Sequence, residues 1–120
     1  MHAIVLFGHG SRDPLWRLPI EAVAARIAAT APHIPVRCAY LELCTPDLAA
    51  AVAELARAGA TSIQVLPMFL GVGRHAREDL PELVRDLRER HPDLRLDVMP
   101  AVGENPRLVA LMAEIALQPL

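Results

Sequence analysis

Apolar residues follow two rhythms along this chain, short compact runs and longer stretches with a helical period, and the two alternate four times. Ile4 to Phe7 is an unbroken apolar run ending at Gly8, which predicts a strand buried on both faces and therefore central. Val36 to Leu41 predicts a second strand ending at Glu42, with Arg37 inside it as expected of a sheet edge. Ser62 to Leu66 predicts the third strand. Leu94, Leu96 and Val98 alternate with Arg95 and Asp97, the pattern of a strand with one face more exposed, and predict the other edge.

Between these runs the period lengthens. Trp16, Ile20, Val23 and Ile27 recur at i, i+4, i+7 and i+11 and predict a helix that starts at Asp13-Pro14, a cap followed by proline, and runs to about Ala31. Thr45-Pro46 repeats that start before the stripe Leu48, Val52 and Leu55, and Gly59 supplies the left-handed terminator. A loop from Pro67 to Ala76 carries Gly71, Gly73 and His75. Asp79 and Glu82 have the spacing of a capping box, so the third helix is expected from there through Leu83, Val84 and Leu87 to His91-Pro92. Asn105-Pro106 opens the last helix, with Leu108, Leu111, Met112 and Ile115 on one side.

A (βα)₄ order needs right-handed crossovers, and the economical solution places strands one and three in the centre. The expected fold is α/β, a three-layer open sheet of four parallel strands in order 2-1-3-4 with helices on both faces, forming one domain over residues 1–120. Only 3% of residues are aromatic against 53% hydrophobic, so the core must be aliphatic. A net charge of −2 with interspersed signs gives no electrostatic reason to expect nucleic acid or an anionic membrane as partner. No apolar run approaches a membrane span and the N-terminus shows no charged leader, so the expected location is the cytoplasm. Cys38 and Cys44 match no zinc spacing and read as buried or half-buried thiols.

His9, Glu42 and His75 are separated by 33 residues each and follow the first, second and third strands. In a parallel sheet the residues that follow the strands gather at one edge, and the switch point between strands one and three is where such folds bind ligands. Two imidazoles and a carboxylate are therefore expected to converge, a donor set suited to a divalent transition metal. Gly8-His9-Gly10-Ser11-Arg12 can also be read as an anion cradle, although it lacks the Lys-Ser/Thr of a P-loop. Ser11, Arg12, Arg74 and Arg77 cluster in sequence around the two histidines as candidate substrate-binding residues, the arginines for carboxylates of an acidic ligand. Met68, Phe69, Leu70 and Val72 form an apolar segment that suits the floor under a flat ligand, and equally a dimer contact or plain core.

The succession Gly8-His9-Gly10-Ser11-Arg12-Asp13-Pro14, Tyr40-Leu41-Glu42-Leu43 and Pro67-Met68-Phe69-Leu70, then Gly73-Arg74-His75 through Glu78-Asp79-Leu80-Pro81, resembles the class II chelatases. Within them it is similar to the short CbiX-type sirohydrochlorin cobaltochelatases, over nearly the whole chain. The resemblance implies ATP-independent insertion of Co²⁺, or alternatively Fe²⁺ or Ni²⁺, into sirohydrochlorin on the way to cobalamin or sirohaem. It implies His9, Glu42 and His75 as catalytic and metal-handling residues, and no cofactor beyond the divalent metal substrate. Longer members carry two such α/β halves with the tetrapyrrole between them, so a chelatase-like half domain implies a homodimer. The competing expectation is a module that carries a metal or tetrapyrrole without promoting insertion.

Overall fold

The computed structural model describes residues 1–119. In chain order it has β1 (His2–Gly8), α1 (Leu18–Thr30), β2 (Val36–Tyr40), α2 (Leu48–Arg57), β3 (Ser62–Pro67), α3 (Arg74–Arg90), β4 (Arg95–Val98), a 3₁₀ turn (Val102–Glu104) and α4 (Pro106–Ala116). The strands form one parallel sheet in the order β2-β1-β3-β4, as the apolar pattern predicts. β1 pairs Gly8 with Tyr40 on one side and Phe7 with Pro67 on the other, so the ends of three strands lie level. No helix among the described residues is long and apolar enough to cross a membrane.

The unbroken apolar run of β1 has a simple cause, since its odd and even positions enter different cores. Val5 and Phe7 pack with α2 and α3 residues such as Leu48, Val52, Leu55, Val84 and Leu87, while Leu6 faces Ile20 of α1 and Tyr40. Burying each such side chain contributes about 1.5–3 kcal/mol, so β1 anchors both layers. Phe69 lies edge-on to Phe7, with ring centroids 6.0 Å apart. In the α1 layer Cys38 and Cys44 are free and half-buried. Burial, then the nearby Glu21 charge, pushes the Cys38 thiol up, partly offset by the Tyr40 hydroxyl. Burial above all pushes Tyr40 up to about 12.

The helix starts differ from expectation in three places. Asp13 Oδ1 accepts a hydrogen bond from Leu15 N at 2.9 Å, closing a local turn, and α1 begins only at Leu18. Trp16 is therefore outside the helical stripe and its ring meets Tyr40 edge-on. At α2, Pro46 O is held by Tyr40 N at 2.9 Å beside the sheet, and Asp47 caps the helix by accepting from Ala50 N at 2.8 Å. An aspartate is the stronger cap, which moves the start two residues on from Thr45. At α3 the helix begins at Arg74 with Gly73 as its cap, so Asp79, Pro81 and Glu82 lie inside it. Ala76, Val84 and Leu87 are buried on one face that runs past the proline, and this burial outweighs the hydrogen bond that Pro81 removes.

At the far edge, Arg95 N and Met99 N donate to Thr61 O and Val65 O of the β3 segment, so the alternate carbonyl of Leu96 faces away from the sheet. Arg88 covers it, donating from Nε and Nη2 at 3.1 and 2.7 Å. α4 starts as expected, with Asn105 Oδ1 accepting from Arg107 N at 2.9 Å. Its apolar stripe does not join the core, for no residue of α4 is buried.

Candidate functional site

The sheet ladder continues past the formal strand ends. Leu41 N donates to Gly8 O at 2.9 Å and Glu42 N donates to His9 O at 3.1 Å, which zips the loop after β2 onto the loop after β1. Gly10 permits that approach. Its φ of +106° is left-handed, and a Cβ there would overlap the Glu42 carbonyl oxygen. The next residue, Ser11, turns inward on its own loop, its Oγ accepting from Asp13 N at 3.1 Å. Leu43 holds φ +68° immediately after Glu42, a conformation unfavourable for a leucine.

This backbone framework sets His9 Nε2 2.9 Å from Glu42 Oε1. Both side chains are nearly half exposed, 48% and 43%, so they open to the solvent side of the crevice. An ionised carboxylate only accepts, so in this pair Nε2 carries the hydrogen and a neutral His9 offers its lone pair at Nδ1. A carboxylate behind an imidazole fixes the ring's tautomer and raises its basicity, the arrangement that tunes metal-ligating histidines.

His75 follows β3 as expected but stands on the first turn of α3 rather than on a loop. Its Nε2 lies 3.8 Å from Asp79 Oδ2, one turn along the helix. Asp79 in turn lines a cavity of about 390 Å³ with Leu41, the residue before Glu42, so the two histidine–carboxylate pairs border the same end of the sheet. The structure thus brings His9 and Glu42 together and leaves His75 apart. Among the described residues no three His, Cys, Asp or Glu side chains stand close enough to hold one ion. Asp79 is the site residue that sequence reading missed. Its i, i+4 spacing from His75 was the available signal.

The other candidates are placed unevenly. Arg12 and Arg77 are exposed. Arg77 borders a cavity of about 530 Å³ with apolar walls from Val72, Leu80, Val84 and Val98, beginning beside His75. Arg74 is engaged with Glu78 at 3.1 Å on the helix surface. Phe69 is 9% exposed and belongs to the core against Phe7, whereas Leu70, 68% exposed, presents the apolar surface of that loop.

Three comparisons bear on this geometry. The CbiX family profile matches residues 3–118. Sirohydrochlorin cobaltochelatases of Methanopyrus kandleri and Methanococcoides burtonii are 37% and 34% identical over 70% and 68% of this chain. The matched stretches span 59% and 63% of those relatives' own lengths, so this chain spans under two thirds of the curated relatives it matches. The crystal structure of a CbiX protein from Marinobacter aquaeolei VT8 superposes with a TM-score of 0.78 at 31% identity, covering 97% of this chain and 94% of that one. The cobalt complex of the sirohydrochlorin chelatase SirB from Bacillus subtilis subspecies spizizenii gives 0.77 at 29% identity, covering 96% of this chain and 51% of SirB. Sheet order, the histidines that follow β1 and β3, and a family match spanning almost every residue agree: the chain belongs to the CbiX family.

Proposed function

We propose that this chain is a sirohydrochlorin chelatase, inserting Co²⁺, with Fe²⁺ and Ni²⁺ as alternative ions, into the macrocycle without ATP, as a step toward cobalamin or sirohaem. The observation that carries the reading is the 2.9 Å contact between His9 and Glu42 at the carboxyl edge of β1 and β2, in a chain whose relatives are named for this reaction. The metal is substrate here, and no other cofactor is needed.

Metallation removes two pyrrole N–H protons while the ion exchanges water for four ring nitrogens, so the protein must hold an ion loosely and accept protons. His9 and His75 are the proposed metal donors, with Glu42 positioning the ion or taking up a proton. The His75–Asp79 pair matches His9–Glu42 in chemistry, which provides an imidazole–carboxylate unit for each departing proton. Few protein ligands favour release, whereas a complete set of four would trap the ion as a structural site does. Arg12, Arg74 and Arg77, with Ser11, are the proposed contacts for the carboxylates on the macrocycle rim, and the Phe69 loop underlies its face.

The chain matches 51% of SirB, and the reading therefore includes a homodimer in which a second copy supplies the other half of the cleft. Each copy is one chelatase-like α/β domain over residues 1–120, and its proposed location is the cytoplasm. Anaerobic incubation with sirohydrochlorin and each ion, followed by absorbance, tests the reaction. A rate equal to the uncatalysed control would reduce the protein to a carrier. Unchanged rates in both His9→Ala and His75→Ala would remove the site assignment.

A further inference from the structure

Charge on α3 is sorted by face. Asp79, Glu82 and Asp86 stand at i, i+3 and i+7 and line one cavity with Leu41, on the side of the helix that carries the His75–Asp79 pair. Arg77, Arg85 and Arg88 line another cavity, of about 530 Å³, between α3 and β4. Among the described residues no carboxylate borders that second space. Its floor is apolar, since Ala76 and Val84 are buried and Val72, Leu80 and Val98 pack half-buried against the core. Pro81 adds ring carbons to the wall and no backbone donor.

The guanidinium groups around this space are not neutralised from within the chain. Among the described residues Arg77 and Arg85 have no ion-pair partner, whereas Arg37, Arg74, Arg90 and Arg95 are each bound to a carboxylate. Arg88 gives Nε and Nη2 to the Leu96 carbonyl and keeps Nη1. A guanidinium beside an apolar surface binds an incoming carboxylate through a two-pronged hydrogen-bonded fork, and exclusion of water by the apolar walls strengthens that contact. Arg77 lies about 12 Å from Arg85 along the helix axis. The cations therefore stand at the two ends of an elongated apolar trough.

We propose that this trough is a ligand site of its own, taking an elongated apolar dicarboxylate whose two ends are held by Arg77 and by Arg85 with Arg88. A volume of about 530 Å³ lies in the range of small-molecule sites, roughly 300–1,000 Å³. The trough is on the far side of α3 from Asp79, so it is distinct from the crevice that holds the imidazole–carboxylate pairs. A compact anion such as phosphate would leave the apolar floor uncovered, and an uncharged apolar molecule would leave the guanidinium groups without a partner. The site goes beyond the chelatase reading, which assigns only Arg77 to a macrocycle carboxylate.

Isothermal titration at fixed ionic strength, with a naphthalene carrying carboxylates at its opposite ends as the probe, tests the site. The unaltered chain should bind one probe per copy with a dissociation constant between about 10 μM and 1 mM, the range open to a ligand of so few atoms. Arg85→Met keeps the apolar stem, removes the charge and should weaken binding about 10-fold or more. Arg85→Lys restores charge without the fork and should recover part of that loss. Arg85 is exposed, so both variants should fold as the parent does. The uncharged bis-amide of the probe should bind at least about 10-fold more weakly than the dicarboxylate, and His9→Ala should bind the dicarboxylate as the parent does. Absence of binding, equal binding of the bis-amide, an unaltered affinity in Arg85→Met, or lost affinity in His9→Ala, which would put the probe in the metal crevice, would each overturn the site. Neither metal nor macrocycle is added, so the result does not depend on whether the chain inserts metal.

Discussion

His75 Nε2 lies 3.8 Å from Asp79 Oδ2 across one turn of α3, beyond hydrogen-bond length, whereas His9 Nε2 and Glu42 Oε1 are hydrogen-bonded at 2.9 Å across 33 residues of chain. The two pairs differ in what holds them. The α3 pair needs only helical geometry, whereas the other depends on two loops being zipped together by backbone hydrogen bonds.

That difference separates the expected effects of removing each carboxylate. Glu42→Gln should lower the metal-insertion rate by about 10–100-fold, the usual cost of losing the group that orients a histidine, whereas Asp79→Asn, whose carboxylate stands beyond hydrogen-bond length from His75, should lower it less. Thermal unfolding should move little, because all four side chains are at least partly exposed and exposed pairs contribute little stability. Parallel measurement of the insertion rate and Tm checks this, and a rate that tracks Tm would count against an orienting role.

Gly10→Ala should cost more than about 2 kcal/mol, since the new Cβ meets the Glu42 backbone at a left-handed φ. The same change should separate His9 from Glu42. Gly71→Ala is the matched control, with nothing within 4 Å of its Cβ, and should stay within about 0.5 kcal/mol of the parent. Urea titration of both variants reads the contrast.

Leu43→Gly should stabilise the fold by up to about 1 kcal/mol, because a strained φ of +68° is relieved and the leucine is 51% exposed. Gain of stability with loss of insertion rate would mean that the strain serves to aim Glu42.

Alkali should act through Tyr40. Its folded pKa of about 12 lies above the ordinary tyrosine value of about 10, so between these pH values the unfolded chain has released a proton that the native state retains. Stability is then fully present below about pH 10 and falls as pH rises through 12. Tyr40→Phe should flatten that part of the curve, measured by urea unfolding between pH 9 and 12.

The strands and their order were legible because each apolar run has only one way to be buried, and β1 carries side chains for both cores. Helix starts were less so. Asp13-Pro14 and Thr45-Pro46 have the form of a cap and a first helical residue, yet Asp13 spends its carboxylate on a turn and Pro46 is tied to Tyr40. Only Asn105-Pro106 met no rival partner. Asp79 was hidden because a capping role explained it locally, and its i, i+4 spacing from His75 has meaning only when the helix begins before His75. The pairing of His9 with Glu42 was readable from strand succession, but the offset of His75 was not, because it follows from where α3 begins.

Arg88 has a wider consequence. A parallel sheet that stops at β4 exposes a row of backbone groups, and such a row is a template on which another chain can add a strand. By occupying the outward carbonyl of Leu96 with two donors, this guanidinium closes the template with a side chain instead of a further strand. Growth of the sheet into open-ended fibres is thereby discouraged on one flank.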